Sequence, residues 1–350
     1  MDDFRGFEQW CGATFPGLAP DERSGPTFAQ DLLRFELGAP YKRAADRVAQ
    51  ATRRAAAIFQ AVFENEDQIE LLVFDFGGQM MGGVEPQRRR GEGEEPGASE
   101  ARYLALNTVL PTDGPVLVRT LGPSAYRTGS VQQRLLRVER ASVDHAAIFR
   151  AIAGCELGVG LRLAETVHFY SRAQGLCFYM YDDRGCVVVG AGVAQQALAA
   201  RFSAWVIAHR RGGVEQPIPP RCLPSEEFKE LLRSSDGPAG VDRLGLYIRA
   251  DLLSESQLES VASIVASMDE KTVRLFARHR LIRGLRARGI ESCFDSVKAS
   301  TDAAVHRVVL DLPGLQRHHV AWLAESGGNR KMRKMASQKL KRRSWGKERR

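Results

Sequence analysis

Three groups of residues in this 350-residue chain carry side chains able to do chemistry. The first is Tyr181-Asp182-Asp183-Arg184-Gly185, two carboxylates and a guanidinium in one short run, with His168 a little upstream. Neighbouring carboxylates at a turn tip can bind a cation or a polar partner, and a nearby imidazole can serve as acid or base. The plainer reading of the run is a hairpin. Asp opens the turn through side-chain-to-backbone bonds, Gly185 supplies the bulge, and His168 is a half-buried histidine with its hydrogen bonds met. No third or fourth ligand accompanies the Asp pair, so no metal or cofactor is assigned.

The other two groups are basic. Residues 271–288 hold Lys271, Arg274, Arg278, Arg280, Arg283, Arg286 and Arg288 without an acid. On a helical wheel Lys271, Arg274, Arg278 and Arg286 fall together and the rest spread, so this is not a clean recognition stripe. Residues 330–350 hold Arg330, Lys331, Arg333, Lys334, Lys339, Lys341, Arg342, Arg343, Lys347, Arg349 and Arg350 against Glu348 alone. Such clusters attract phosphate backbones by counterion release. The competing reading is a solvated helix face and a disordered, solubilising tail over 329–350. Trp345 is the one aromatic in that tail, fewer than stacking platforms use.

These clusters explain the net charge of +8. The last 21 residues sum to +10, and the other 329 to −2. With 271–288 also set aside, the remainder stands at −9. The body is acidic and the C-terminal third basic, so anion binding is expected only in that third.

Other signals are weaker. Val187-Val188-Val189-Gly190-Ala191-Gly192 leading into a helix imitates a dinucleotide-binding turn. Gln195 stands where the third glycine belongs, the strand leaves a tight hairpin, and no second parallel strand follows. The seven histidines lack metal spacing, and His318-His319 is expected to point its rings to different helix faces. Six scattered cysteines without a C-x-x-C read as buried thiols; Cys177 and Cys186 could face one another across a hairpin. With no secretory leader and no membrane-length apolar run, a reduced cytoplasmic location away from membranes is expected.

The elements that must position these groups follow from periodicity. An amphipathic helix spans 41–63, a strand 69–76, and a Gly/Arg/Glu-rich loop 77–97. Strands are expected near 103–110, 116–119 and 135–138, then a helix over 143–153. Residues 164–170, 176–181 and 186–189 read as a three-stranded meander with the Asp-Asp-Arg-Gly turn in its second hairpin, and 193–209 as a covering helix. The fold class is α+β, an antiparallel sheet with helices on one face. Domains are expected at 1–212 and 225–328 across a Pro-rich linker at 213–224. The smaller unit reads as helix-rich α/β, with strands at 244–250 and 305–312, a capping box at Ser254 and Gln257, and helices over 269–288 and 319–325.

The run from His168 to Ala191, with its Tyr-Asp-Asp-Arg-Gly turn, resembles the hallmark of an uncharacterised bacterial family, the domain of unknown function numbered 3885. The likeness continues upstream in Phe15-Pro16-Gly17-Leu18, in Leu33-Arg34-Phe35-Glu36-Leu37-Gly38, and in Arg54-Ala55 before Ile58-Phe59. It covers about residues 10–210 and implies an α+β bacterial protein but no activity. The expected function is therefore a non-enzymatic binding module that presents Tyr181, Asp182, Asp183, Arg184 and His168 to an unknown protein partner. The alternatives are nucleic-acid or ribosome contact through the two basic segments, and an enzyme working at the Asp182/Asp183/Arg184 edge.

Overall fold

The structure, a computed structural model, describes residues 4–16, 29–75, 104–111, 116–122, 130–218, 220–234 and 238–342. It divides into two compact units, Met1–Pro224 and Ser225–Arg350.

In the first unit the described residues form α1 (Phe4–Thr14), β1 (Leu32–Glu36), α2 (Ala44–Val62), β2 (Gln68–Asp75), β3 (Val116–Leu121), β4 (Val131–Glu139) and α3 (His145–Leu157). Then come β5 (Thr166–Ser171), β6 (Leu176–Met180), β7 (Gly185–Val189), α4 (Val193–Arg201), β8 (Val206–Arg211) and β9 (Val214–Glu215). The strands make one sheet in the order β3-β4-β2-β5-β6-β7-β1-β8-β9. Every described pairing is antiparallel, and the meander is β5-β6-β7. The fold is α+β.

Strand alternation sends one set of side chains to each face. Phe169 of β5 and Phe178 of β6 meet Phe59 of α2 and Phe149 of α3, with ring centroids 5.1–6.1 Å apart. The opposite face offers Leu32, Tyr170, Cys177 and Val189 to Phe7, Cys11 and Phe15 at the N-terminus. Helices thus lie on both faces rather than one. The apolar positions Phe7 and Cys11 stand one helical turn apart and need a surface of their own. β7 is buried throughout, as a strand covered on both sides must be.

Local expectations fail where tertiary pairing overrides periodicity. The helix expected over 193–209 ends at Arg201. Phe202 stacks on Trp205 at 4.9 Å, and Val206–Arg210 then pairs with β1. Leu106–Thr108 is a 3-10 turn within the strand expected near 103–110. Helix α3 runs on past Gly154, whose missing Cβ admits the carbonyl of Val159. The Pro-rich stretch is tied to the first unit, since Leu223 is buried and the Cys222 N–H donates to Ser203 Oγ at 3.1 Å. The 77–97 loop lies outside the described residues.

The second unit comprises α5 (Ser225–Arg233), α6 (Pro238–Arg249), α7 (Glu255–Ala266), α8 (Glu270–Arg288), α9 (Phe294–Ala299), α10 (Ala303–Asp311), α11 (Arg317–Ser326) and α12 (Arg330–Arg342). No strand occurs among its described residues. The runs read as strands at 244–250 and 305–312 belong to α6 and α10. Their buried positions, Leu244, Tyr247 and Ile248, then Val305, His306, Val309 and Leu310, are spaced for a helix. Ser254 and Gln257 form the expected capping box. Residues 330–342, read as disordered, are helical because Met332 and Ala336, one turn apart, join a core with Val309 and Leu323. Among the described residues no helix is long and apolar enough to cross a membrane.

Candidate functional site

The turn after β6 is held from inside. Asp182 accepts the N–H groups of Arg184 (2.7 Å) and Gly185 (3.3 Å), and also takes Arg184 Nε at 2.6 Å. Asp183 pairs with Arg47 of α2, which also lies 3.9 Å from Glu36. Both Asp side chains are only 4% exposed. Their charges are spent on the chain, and Arg184 alone reaches outward, 3.7 Å from Glu156. The guanidinium of Arg184 is held even more firmly protonated by its bond to Asp182.

This bracing positions Tyr181. A Cβ on Gly185 would collide with the Tyr181 hydroxyl and the Phe35 carbonyl, so glycine there lets the phenol ring lie over the start of β7. Tyr181 Oη accepts Arg34 Nε at 2.8 Å, and the guanidinium sits 5.2 Å from the ring centroid. Gly38 likewise has no room for a side chain between the Asp183 carbonyl and Arg47, and the Leu37 N–H donates to the Arg184 carbonyl at 2.9 Å. The 33–38 segment and the turn are thus one assembly.

Register puts four residues in one rung: His168 opposite Tyr179, Tyr179 opposite Val187, Val187 opposite Arg34. They share the face that carries Tyr170 and Cys177, one rung further along. The His168 ring lies 4.6 Å from that of Tyr179 and 5.4 Å from that of Phe74. Burial lowers its pKa to about 3, so it is a neutral imidazole, with Tyr170 Oη 3.4 Å from Nδ1. Burial, then the charge of Asp182, pushes Tyr179 up to about 12; Tyr181 is also raised, chiefly by burial. Of the residues expected together, His168 and Tyr181 share this face. Asp182 and Asp183 brace the turn instead. Arg34, Tyr179 and Arg47 were missed, although an arginine alternating with Leu33 and Phe35 in β1 was a visible signal.

The basic residues have two fates. In α8, Arg274 lies 3.3 Å from Glu270, Arg278 2.5 Å from Asp302, and Arg283 2.6 Å from Asp251 and 3.7 Å from Glu255. Lys271 and Arg286 are exposed, with no carboxylate within ion-pair distance among the described residues. In α12, Arg333 donates to the Gly327 carbonyl at 2.9 Å and Lys339 to that of Leu310. Arg330, Lys331, Lys334 and Lys341 are exposed, again without a carboxylate at ion-pair distance among the described residues. At 100° per residue, Arg330, Lys334 and Lys341 fall within about 40° of one line, with Lys331 and Arg333 flanking it. The side chain of Arg342, and Arg343 altogether, lie outside the described residues.

Against expectation, His318 and His319 share a place. Their ring centroids are 3.9 Å apart, and with Glu291 they could offer ligand atoms within 4.8 Å of one another. The tautomer opposes coordination. His319 Nδ1 accepts the Gln316 N–H at 3.1 Å, which leaves the ring proton on Nε2, the atom 3.2 Å from Glu291. His319 closes the cap of α11 beside the Glu291 carboxylate. At the other decoy, Gly190 and Gly192 have φ of +133° and +99°, but β7 lies between antiparallel neighbours, not in a dinucleotide-binding sheet. Cys177 and Cys186 occupy opposite faces of the sheet, and all six cysteines are free thiols.

No curated protein and no solved structure matches the chain. A family profile described as a domain of unknown function, DUF3885, spans residues 7–210, the stretch in which Arg34, Arg47 and the Tyr181–Gly185 turn assemble, and the chain belongs to that family.

Proposed function

We propose that this chain is a binding protein whose C-terminal unit holds nucleic acid by its phosphate backbone through α12. The observation that carries the reading is the exposed line of Arg330, Lys334 and Lys341 on a helix with seven basic residues and no acid. A rise of 1.5 Å per residue spreads that line over about 16 Å, which suits successive phosphates. A charged lipid surface suits it less. Helices that lie in a membrane interface need a free apolar face, and the apolar face of α12 is used in the core with Met332 and Ala336 buried.

A binding role is favoured over catalysis at the turn because Asp182 and Asp183 are committed to Arg184 and Arg47, and His168 is a buried neutral ring. Lys271 and Arg286 of α8 contribute at most a secondary contact.

The test is fluorescence anisotropy of a labelled 20-base-pair duplex with the full chain across a salt series. Arg330→Gln, Lys334→Gln and Lys341→Gln combined should lower the slope of log affinity against log salt by about 2.7, roughly 0.9 per lost phosphate contact. An unchanged slope in a folded triple variant rejects the reading.

A further inference from the structure

The first unit contains a second assembly that phosphate binding does not use. The rung covered by α1, Tyr170-Cys177-Val189-Leu32, is wholly buried. The next rung is mixed, with Val187 buried between Tyr179 and Arg34, and Tyr181 follows two residues after Tyr179 on the same face. His168 is buried, Tyr179 and Tyr181 are half-buried, and Arg34 is exposed. Arg34 stands in the middle of a strand paired on both sides, with its stem along the sheet and its charge at the exposed end.

The turn is built to keep Arg34 in one pose. Asp182 and Asp183 fix the backbone, Gly185 clears the space, and the Tyr181 ring and hydroxyl hold the guanidinium from beneath and at Nε. That leaves the two Nη groups without a hydrogen-bond partner among the described residues. The Tyr181 hydroxyl, accepting from Nε, still has its own proton to donate. Tyr179 lies beside it, ring centroids 6.4 Å apart and tilted 45°.

We propose that Arg34, Tyr181 and Tyr179 form a binding site for a small molecule bearing one carboxylate on a flat apolar body. The guanidinium edge matches a carboxylate in two-pronged fashion, and the Tyr181 hydroxyl adds a third donor. The two neighbouring tyrosine rings suit an aromatic or similarly flat group laid against them. A single negative charge is specified by the surroundings. The site has one guanidinium, Arg34, which matches one carboxylate and leaves the second charge of a dianion such as phosphate unpaired. The proposed site lies in the family domain.

Isothermal titration of the full chain with benzoate tests it, with inorganic phosphate as the competing anion. Benzoate should bind saturably at one site per chain. Arg34→Gln should weaken it about tenfold or more. Tyr181→Phe, which keeps the ring that Gly185 accommodates, should weaken it roughly three- to tenfold and guards against a folding defect in the arginine variant. The α12 triple variant should bind benzoate as the parent does, which separates this site from the nucleic-acid reading. No saturable benzoate binding by folded parent protein overturns the proposal. So does equal affinity in folded Arg34→Gln and Tyr181→Phe, or displacement of benzoate by equimolar phosphate.

Discussion

Helices α8 and α12 each carry seven basic residues, yet they are different objects. α8 faces carboxylates brought in by its own first turn and by Asp251, Glu255 and Asp302, so three of its arginines are partnered. α12 has no acid of its own, and its two internally bonded cations donate to backbone carbonyls. A count of charges cannot separate the two; the partners come from elsewhere in the chain. The turn in the first unit repeats the lesson within five residues. Asp183 is buried against Arg47, whereas Arg184 is 59% exposed beside the fully engaged Asp182.

Charge committed inside the protein should cost stability when broken, and charge left outside should cost binding. The sharpest case is Arg47→Leu. It removes the partner of a carboxylate that is 4% exposed and leaves that charge unpaired. A loss of about 3 kcal/mol in urea unfolding is expected. A folded variant losing under about 1 kcal/mol would show that Asp183 finds water, and would erase the contrast with Arg184.

Much of this arrangement is legible from residue order, and the rest has a physical reason for being hidden. The β5-β6-β7 meander announces itself through β-branched and aromatic runs broken by Asp-Asp-Arg-Gly. The capping box of α7 is written in Ser254 and Gln257. Runs such as 244–250 and 305–312 do not announce themselves, because a short apolar stretch fits either period until its neighbours are known. The role of Tyr181 was hidden for a different reason. It depends on Arg34, which is 147 residues away in sequence and reaches it only because β1 inserts beside β7. α12 was missed because basic residues at most positions mask the Met332–Ala336 pair that anchors it.

A smaller effect, with a sign that depends on pH, comes from Glu66. This carboxyl accepts the Ser171 hydroxyl, and burial raises its pKa from 4.5 to about 7. The folded state therefore holds a proton that the unfolded chain releases above pH 4.5. The stability linked to that proton is complete below about 4.5 and is lost as pH rises through 7. Glu66→Gln keeps an acceptor for Ser171 and never ionises. Its melting temperature should exceed the parent's by a few degrees at pH 8, and the difference should vanish at pH 4. A constant difference at both values would mean that Glu66 holds no extra proton in the folded protein.

The smallest expected effect is also the one that most directly probes the difference between the basic helices. Arg274 and Glu270 are 70% and 82% exposed, one turn apart on α8. Such a pair stabilises a helix by about 0.3–0.5 kcal/mol, so Arg274→Gln should shift unfolding by no more than that. Its effect on duplex binding should be equally slight, a salt slope altered by less than about one contact's worth, because Glu270 already offsets the charge. Lys334→Gln on α12 should by contrast remove a full contact while leaving stability unchanged, since its side chain is solvated and touches no carboxylate among the described residues. Equal slope changes for the two substitutions would mean that exposure, rather than pairing, decides which cations meet phosphate, and the binding surface would then extend to Lys271 and Arg286 of α8.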